Sequence, residues 1–261
     1  MSSVIVRSAI APVFAQPSLR AEQVSQLVLG ETGRVEESSG EWRRIRGDHD
    51  GYQGWAHIGY LVETDPVAAD RWRRDADGWS LGATLEVAGQ RLRMPLRARA
   101  ALDGAKVRLP DGRRADLVEG DVRPVGDATA AARSKAPERW ALEYFEGAPY
   151  EWGGVTPWGV DCSGLVQTTF AARGLPLPRD AALQVDSGAV IQLDALQPGD
   201  LLFFRGESGD RITHVAFAAE ADTLIHSTVS CGGVLVEPWL PGTRAAALRE
   251  NLVAVRRLEE R

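Results

Sequence analysis

Residues 161–176 read DCSGLVQTTFAARGLP, and the reading of this run decides the fold of the second half of the chain. Leu165, Val166, Thr169 and Phe170 recur at the spacing of one helical face, and Gly174 followed by Pro176 supplies a stop. Asp161 stands where a helix N-cap belongs, since its carboxylate can accept from the unpaired N–H groups of the first turn. Cys162 therefore lies at the amino terminus of a helix. There the orphan N–H groups and the positive end of the macrodipole favour thiolate over thiol, which is what a nucleophile needs. A Cys in such a place is also commonly a small buried hydrophobe, so the flanking sequence has to decide between the two uses.

Upstream, Pro137 can open a helix through ERWALEYFEG, with Trp140, Ala141, Tyr144 and Phe145 on one face and Gly147 closing it. Between that helix and Cys162, Tyr150-Glu151-Trp152-Gly153-Gly154 and Trp158-Gly159-Val160 mix aromatics and glycines without helical or strand period, a composition that suits a cleft wall. Downstream of the Pro198-Gly199-Asp200 turn, LLFF, HVAFA, LIHS, VLVE and LVAVRRL read as strands of an antiparallel sheet. His214 begins the HVAFA strand and shares a face with Ala216 and Ala218, whose small side chains leave space beside the ring. His226 sits on the following strand, and a hairpin between the two would let His226 orient His214. A Cys on a helix, then a His on a strand, then a polar group holding that base is the papain-like order.

Cys162, His214, His226 and Cys231 also formally make a Cys₂His₂ set for zinc. Structural zinc sites bring their ligands in close pairs, whereas 214 − 162 = 52 residues separate the first Cys from the first His. The expectation is no metal and no cofactor, with Cys231, in a Ser-Cys-Gly-Gly turn, incidental.

The first half is different in kind. Residues 4–64 read as short strands (SVIVR, QLVLGETGRVEE, EWRRIR, YQGWAHI) bounded by Gly, Pro, Ser or Asp, the pattern of a small all-β barrel. A second β-rich stretch follows, with GATLEVAG, RLRMPLRARA and AKVRLP and a turn at Pro110-Asp111-Gly112. The expected organisation is a barrel over 1–66, a second over 67–126, a linker over 127–137 and an α+β domain over 138–261.

With 261 residues, 44% of them hydrophobic and 25% charged, the chain has the composition of an ordinary globular protein. A net charge of −6 lacks the basic excess that nucleic-acid binding requires. No run approaches the roughly 18 apolar residues of a membrane span, and the start MSSVIVRSAIAPVF does not have the form of a secretory signal. The sequence-based expectation is a cytoplasmic protein. Two cysteines are too few for a disulfide framework.

The motifs YEWGG, GVDCSGLVQ, LPRDAALQ, LQPGDLLFF, THVAFA and LIHSTVSCGGV, over about residues 138–258, resemble those of the NlpC-type cell-wall cysteine peptidases, which have a reduced papain-like fold. Leu29-Gly30-Glu31, Trp42, Gly54-Trp55 and Tyr60-Leu61 resemble the bacterial SH3-type module. The resemblance implies Cys162 as nucleophile, His214 as base and His226 as orienting third member, with the Cys162 N–H and the Tyr150 hydroxyl forming an oxyanion hole. Trp152 and Trp158 would line the substrate cleft. An Asp just before the nucleophile, with SH3-type modules upstream, is similar to the subgroup that cleaves after γ-D-glutamate in peptides beginning with a free L-alanine. Asp161 would then meet the α-ammonium, Ser163 would add a hydrogen bond, and Glu31 and Tyr52 would close that end of the cleft. The implied partner is the peptidoglycan peptide L-Ala-γ-D-Glu-diamino acid, cleaved during murein recycling. Two other readings stand beside it: an exported endopeptidase acting on intact wall, and a non-catalytic adaptor that binds peptides through its barrels. The chain departs from the family in having Ala181 and Ala182 where a Ser is common.

Overall fold

Strands β1 (Ser3–Val6), β2 (Ile10–Phe14), β3 (Gln23–Val28), β4 (Thr32–Ser39), β5 (Trp42–Gly47), β6 (Gln53–His57) and β7 (Leu61–Thr64) form one antiparallel sheet in the order β3-β2-β6-β5-β4-β1-β7. Alternation along β1 sends Val4 and Val6 into a core with Ala11, Val13, Leu27, Ile45, Ala56 and Leu61, and sends Ile5 to the other side against Trp72, Ala76 and Ala101. Strand β2 is absent from the sequence reading because it carries Pro12. It pairs with β6 only at Phe14–Trp55, and a strand with so little pairing along one side tolerates a residue without an N–H.

This computed structural model describes residues 2–206, 209 and 211–258. The chain divides into two compact units, Met1–Thr129 and Ala130–Arg261, which are described separately.

Within the first unit a helix that the β-rich reading did not include precedes the strands of the second module. Residues Pro66–Asp75 form helix α1, with Pro66 in its first turn and Asp65 as the cap, accepting from the Ala68 N–H at 2.9 Å. The buried Ala69, Trp72 and Ala76 make a narrow stripe in an otherwise charged segment, and that stripe was hidden by the arginines around it. Strands β8 (Gly78–Val87), β9 (Gln90–Met94), β10 (Arg99–Asp103), β11 (Lys106–Arg108) and β12 (Arg114–Pro124) follow. The order β10-β11-β12-β8-β9, with β10 also paired to β8, closes four of these strands into a small barrel. Residues expected as a linker are helical: α2 (Val125–Arg133) buries Ala128 and Ala132, one turn apart, and the division between the units falls inside it.

The two modules of the first unit interlock at Gly30-Glu31. Arg99 donates its N–H to the Leu29 carbonyl at 2.7 Å, and the Trp72 indole N–H donates to the Gly30 carbonyl at 2.8 Å. Gly30 has φ +83°, and a Cβ there would lie 2.2 Å from the Arg99 carbonyl oxygen, so only glycine allows the approach.

In the second unit α3 (Pro137–Phe145) buries Trp140, Ala141 and Phe145. A two-residue hairpin, β13 (Val155–Thr156) with β14 (Gly159–Val160), lies within the aromatic and glycine-rich segment. Helix α4 (Cys162–Ala172) is buried on every side, so it is a central core helix and not an amphipathic surface one. Each of Leu165, Val166 and Phe170 is at most 1% exposed and contributes roughly 1.5–3 kcal/mol by burial. The sheet runs β15 (Ala189–Val190), β20 (Leu252–Arg257), β16 (Leu201–Arg205), β17 (Ile212–Ala219), β18 (Thr223–Thr228), β19 (Gly233–Pro238), with antiparallel neighbours throughout. Helix α4 packs on it through Phe170 against Phe217, ring centroids 6.0 Å apart. The expected α+β class is the class the chain adopts.

Candidate active site

Asp161 and Cys162 are held at the start of α4 by a buried polar cluster. Asp161 Oδ1 accepts from the Gly164 N–H at 2.7 Å, the cap expected from the sequence, and Oδ2 accepts from the Gly153 N–H at 2.8 Å. Gly164 belongs there for a steric reason: a Cβ on it would lie 2.1 Å from the Gly154 carbonyl oxygen. Arg179, 2% exposed, donates to both Asp161 oxygens, at 3.0 and 2.6 Å, and also to Ser163 Oγ at 2.8 Å. Ser163 in turn donates to Asp161 Oδ1 at 3.1 Å. The Gln184 amide donates to the Ser163 carbonyl at 3.0 Å and the Pro178 carbonyl at 2.9 Å, which ties the LPRDAALQ segment beneath the helix start.

The cap reading of Asp161 is thus realised, and the cluster adds a buried guanidinium to both Asp161 and Ser163. Both are engaged by Arg179, so a substrate ammonium would have to share them. Arg179 was not among the candidates from the sequence, and its signal there was its place in the LPRDAALQ motif.

Cys162 is 7% exposed, and its sulfur lies against the backbone on both sides of His214. Sγ is 4.0 Å from the Thr213 carbonyl oxygen, and the N–H groups of Val215 and Ser163 point to it. His214 Nε2 is 2.8 Å from His226 Nδ1, and His226 Nε2 is 3.0 Å from Glu237 Oε2. The hairpin from β17 to β18 thus brings the two imidazoles together as expected. Glu237, 6% exposed, and Arg244, which donates to Glu237 Oε2, extend the chain beyond what was read from the sequence. Residue 237 pairs with Leu224 and residue 235 with His226, so Glu237 reaches the imidazole diagonally across the sheet.

The protonation states differ from the expected thiolate. Burial, reinforced by the Asp161 charge, pushes the Cys162 thiol up to about 12, against the Val215 and Ser163 N–H groups. Burial and the neighbouring His226 and Arg244 push His214 down to about 3, and burial lowers His226 as well. A helix terminus contributes at most about 2 kcal/mol, near 1.5 pKa units, while full burial shifts a group by about 3–5 units. Desolvation wins, and the pair rests as thiol and neutral imidazole.

Tyr150 is half-buried, and burial, with the Asp161 charge also nearby, pushes its hydroxyl up to about 12, so it remains an O–H donor. Its backbone bridges Val160 and donates to the Gly232 carbonyl at 2.8 Å. Trp152 is exposed ahead of the β13–β14 hairpin, and Trp158 is half-buried in the turn of that hairpin. Cys231 is exposed in a short 3₁₀ turn closed by the left-handed Gly232. Glu31 and Tyr52 lie in the first unit. Glu31 is buried, 2.8 Å from Arg97 Nε, and also accepts from the Val28 N–H at 3.0 Å. Tyr52 immediately precedes β6, its N–H donating to Asp50 Oδ1 at 2.9 Å. No helix among the described residues is long and apolar enough to cross a membrane.

Comparison with known proteins follows the same division of the chain. Residues 147–248 match the NlpC/P60 family, and residues 13–59 match the bacterial dipeptidyl-peptidase Sh3 domain. The chain is 31% identical over 223 residues to the gamma-D-glutamyl-L-lysine dipeptidyl-peptidase of Bacillus subtilis (strain 168), covering 78% of this chain and 71% of that one. It is 26% identical over 229 residues to a protein of the same name from Bacillus cereus (strain ATCC 10987 / NRS 248), covering 78% and 66%. A crystal structure of an NlpC/P60 family protein from Bacillus cereus ATCC 10987 superposes with a TM-score of 0.83 over 98% of this chain and 99% of that one, at 23% identity, and so shares its fold.

Proposed function

Since this chain belongs to the NlpC/P60 family of cysteine peptidases, we propose that it hydrolyses the γ-D-glutamyl–diamino acid bond of peptidoglycan stem peptides that carry a free amino-terminal L-alanine. The observation that carries the reading is Cys162 at a helix start, its sulfur against the backbone flanking His214, with His226 bonded behind that imidazole. The names of the relatives, both dipeptidyl-peptidases, support removal of two residues from a free amino end.

In the proposed reaction the Cys162 sulfur attacks the γ-carbonyl of D-glutamate while His214 takes the thiol proton. The carbonyl oxygen gains charge and is met by the Cys162 N–H and the Tyr150 O–H. Collapse passes the proton from His214 to the leaving amine of the diamino acid and leaves a thioester, which water hydrolyses with His214 again as base. Trp152 and Trp158 provide apolar surface for the peptide. Peptides with free amino ends arise by breakdown of wall material, so the role we propose is recycling, in the cytoplasm. Asp161 contributes to the ammonium site by sharing a carboxylate already held by Arg179.

Incubation with L-Ala-γ-D-Glu-L-Lys, with its meso-diaminopimelate counterpart and with the N-acetylated form of each tests the proposal. Release of L-Ala-γ-D-Glu from the free peptides, at a kcat/KM at least about tenfold above the acetylated ones, is the expected result. Equal rates on both forms, or faster cleavage of intact wall, would replace it with the wall-endopeptidase reading.

A further inference from the structure

Glu237 lies outside the residues to which sequence reasoning assigned the chemistry, Cys162, His214, His226 and Tyr150, yet it belongs to the hydrogen-bonded chain that begins at His214. Its Oε2 is 3.0 Å from His226 Nε2 and also accepts from the Arg244 guanidinium. Glu237 and His226 are 6% and 1% exposed, so neither exchanges its partner for water. An oxygen that accepts from a guanidinium holds no proton of its own. It can only accept, and the hydrogen between Glu237 and His226 therefore belongs to His226 Nε2.

The consequence passes along the chain. A neutral imidazole carries one N–H, so a hydrogen on His226 Nε2 leaves Nδ1 as an acceptor. The contact of 2.8 Å between that Nδ1 and His214 Nε2 then requires the hydrogen on His214 Nε2. His214 Nδ1 is left with the lone pair. Burial keeps both rings neutral, so this ordering describes the resting site.

We propose that Glu237 is a positioning residue that fixes the tautomers of His226 and His214 in series, so that His214 presents a basic Nδ1 to the Cys162 thiol. Without a fixed acceptor behind His226 the relay can run in the opposite sense, with hydrogens on His226 Nδ1 and His214 Nδ1, and the base then offers an N–H where it needs a lone pair. As the thiol proton moves to His214 Nδ1 and the sulfur attacks, the imidazolium keeps its Nε2–H donated to His226, whose own Nε2–H remains on the carboxylate. Glu237 thus stabilises the charged base through one intervening ring. Arg244 donates to the same carboxylate oxygen from the solvent side, where its side chain is 44% exposed.

The proposal rests on the peptidase reading of Cys162 and His214, and its test does not depend on which peptide is cleaved. Full-length protein labelled with ¹⁵N at histidine should show, in the wild type near pH 7, both His214 and His226 protonated at Nε2 by two-dimensional ¹⁵N–¹H correlation. Finding His226 protonated at Nδ1 overturns the proposal without any variant. In Glu237→Gln, an isosteric change whose amide can donate to His226 Nε2, the two rings should switch to the Nδ1–H form. The rate of Cys162 alkylation by iodoacetamide near pH 7 should fall at least about tenfold. Against whichever peptide the wild type cleaves, kcat should fall about 10²-fold or more with KM within about threefold. A folded Glu237→Gln with unchanged tautomers, or with wild-type alkylation and kcat, rejects the role. If no peptide is cleaved but the tautomer and alkylation results hold, the substrate reading fails and this inference stands.

Discussion

Replacing Asp161 by Asn removes one charge from a buried pair and tests how the nucleophile is held. Asp161 is 5% exposed and Arg179 2%, and the guanidinium meets both carboxylate oxygens. The amide keeps one acceptor oxygen and turns a donor toward either Arg179 or the Gly153 N–H, which now sits 2.8 Å from Oδ2. A buried charge stripped of its partner costs about 3–5 kcal/mol. A backbone N–H left without an acceptor adds roughly 1–3 kcal/mol, which places the loss at the upper end of that range. For a protein of this size such a loss, about 5 kcal/mol, lowers Tm by about 10–20 °C. Urea denaturation and thermal melting of Asp161→Asn measure it directly. In the double variant Asp161→Asn/Arg179→Met no unpaired charge remains, and at least half the loss should return. A loss below about 1 kcal/mol in the single variant, or simple additivity in the double, would refute the view that this ion pair holds the helix start. The same variant addresses specificity. Because the proposed ammonium site shares this carboxylate, the preference for free over N-acetylated peptide should narrow about tenfold, and a ratio held within about threefold would show that the carboxylate serves the scaffold alone.

Cys162→Ala should abolish hydrolysis, by at least about a thousandfold, with an unchanged fold by circular dichroism, whereas the exposed Cys231→Ala should retain wild-type rates. Activity should be lost on thiol alkylation and survive EDTA; the reverse pattern would indicate a metal. Because burial lowers His214 to about 3 and raises Cys162 to about 12, the pH profile of kcat/KM should be a broad plateau, its acidic limb below 6.5 and its basic limb above the usual thiol range; an acidic limb at or above 6.5 would contradict the neutral resting pair. Stability has a matching sign: His214 and His226 are lowered on folding, so the unfolded chain takes up more protons as pH falls below about 6.5, and stability measured by urea denaturation should decline from there toward pH 3.

What could be read from the sequence alone rests on forces that act within a few residues. The cap at Asp161, the face of Leu165, Val166 and Phe170 and the stop at Gly174 are all contained in one helical run, and alternation along HVAFA and LIHS placed His214 and His226 on neighbouring strands. The signal of α1 was also local, an Asp-Pro start, but its buried stripe of Ala69, Trp72 and Ala76 lay among arginines and did not register as a helix face. The tertiary structure decided the rest. Arg179 reaches Asp161 because a loop folds beneath the helix start, and Glu237 reaches His226 because the β18–β19 register sets Leu224 opposite it. Glu31, the most conspicuous acidic residue of the first module, is consumed by Arg97, 66 residues along the chain. Protonation followed the same rule: the helix terminus visible at Cys162 argued for thiolate, and burial, which only the packed structure defines, reversed it. Capping and periodicity are local and survive in the sequence, whereas register, desolvation and the pairing of buried charges depend on which distant segments close over them.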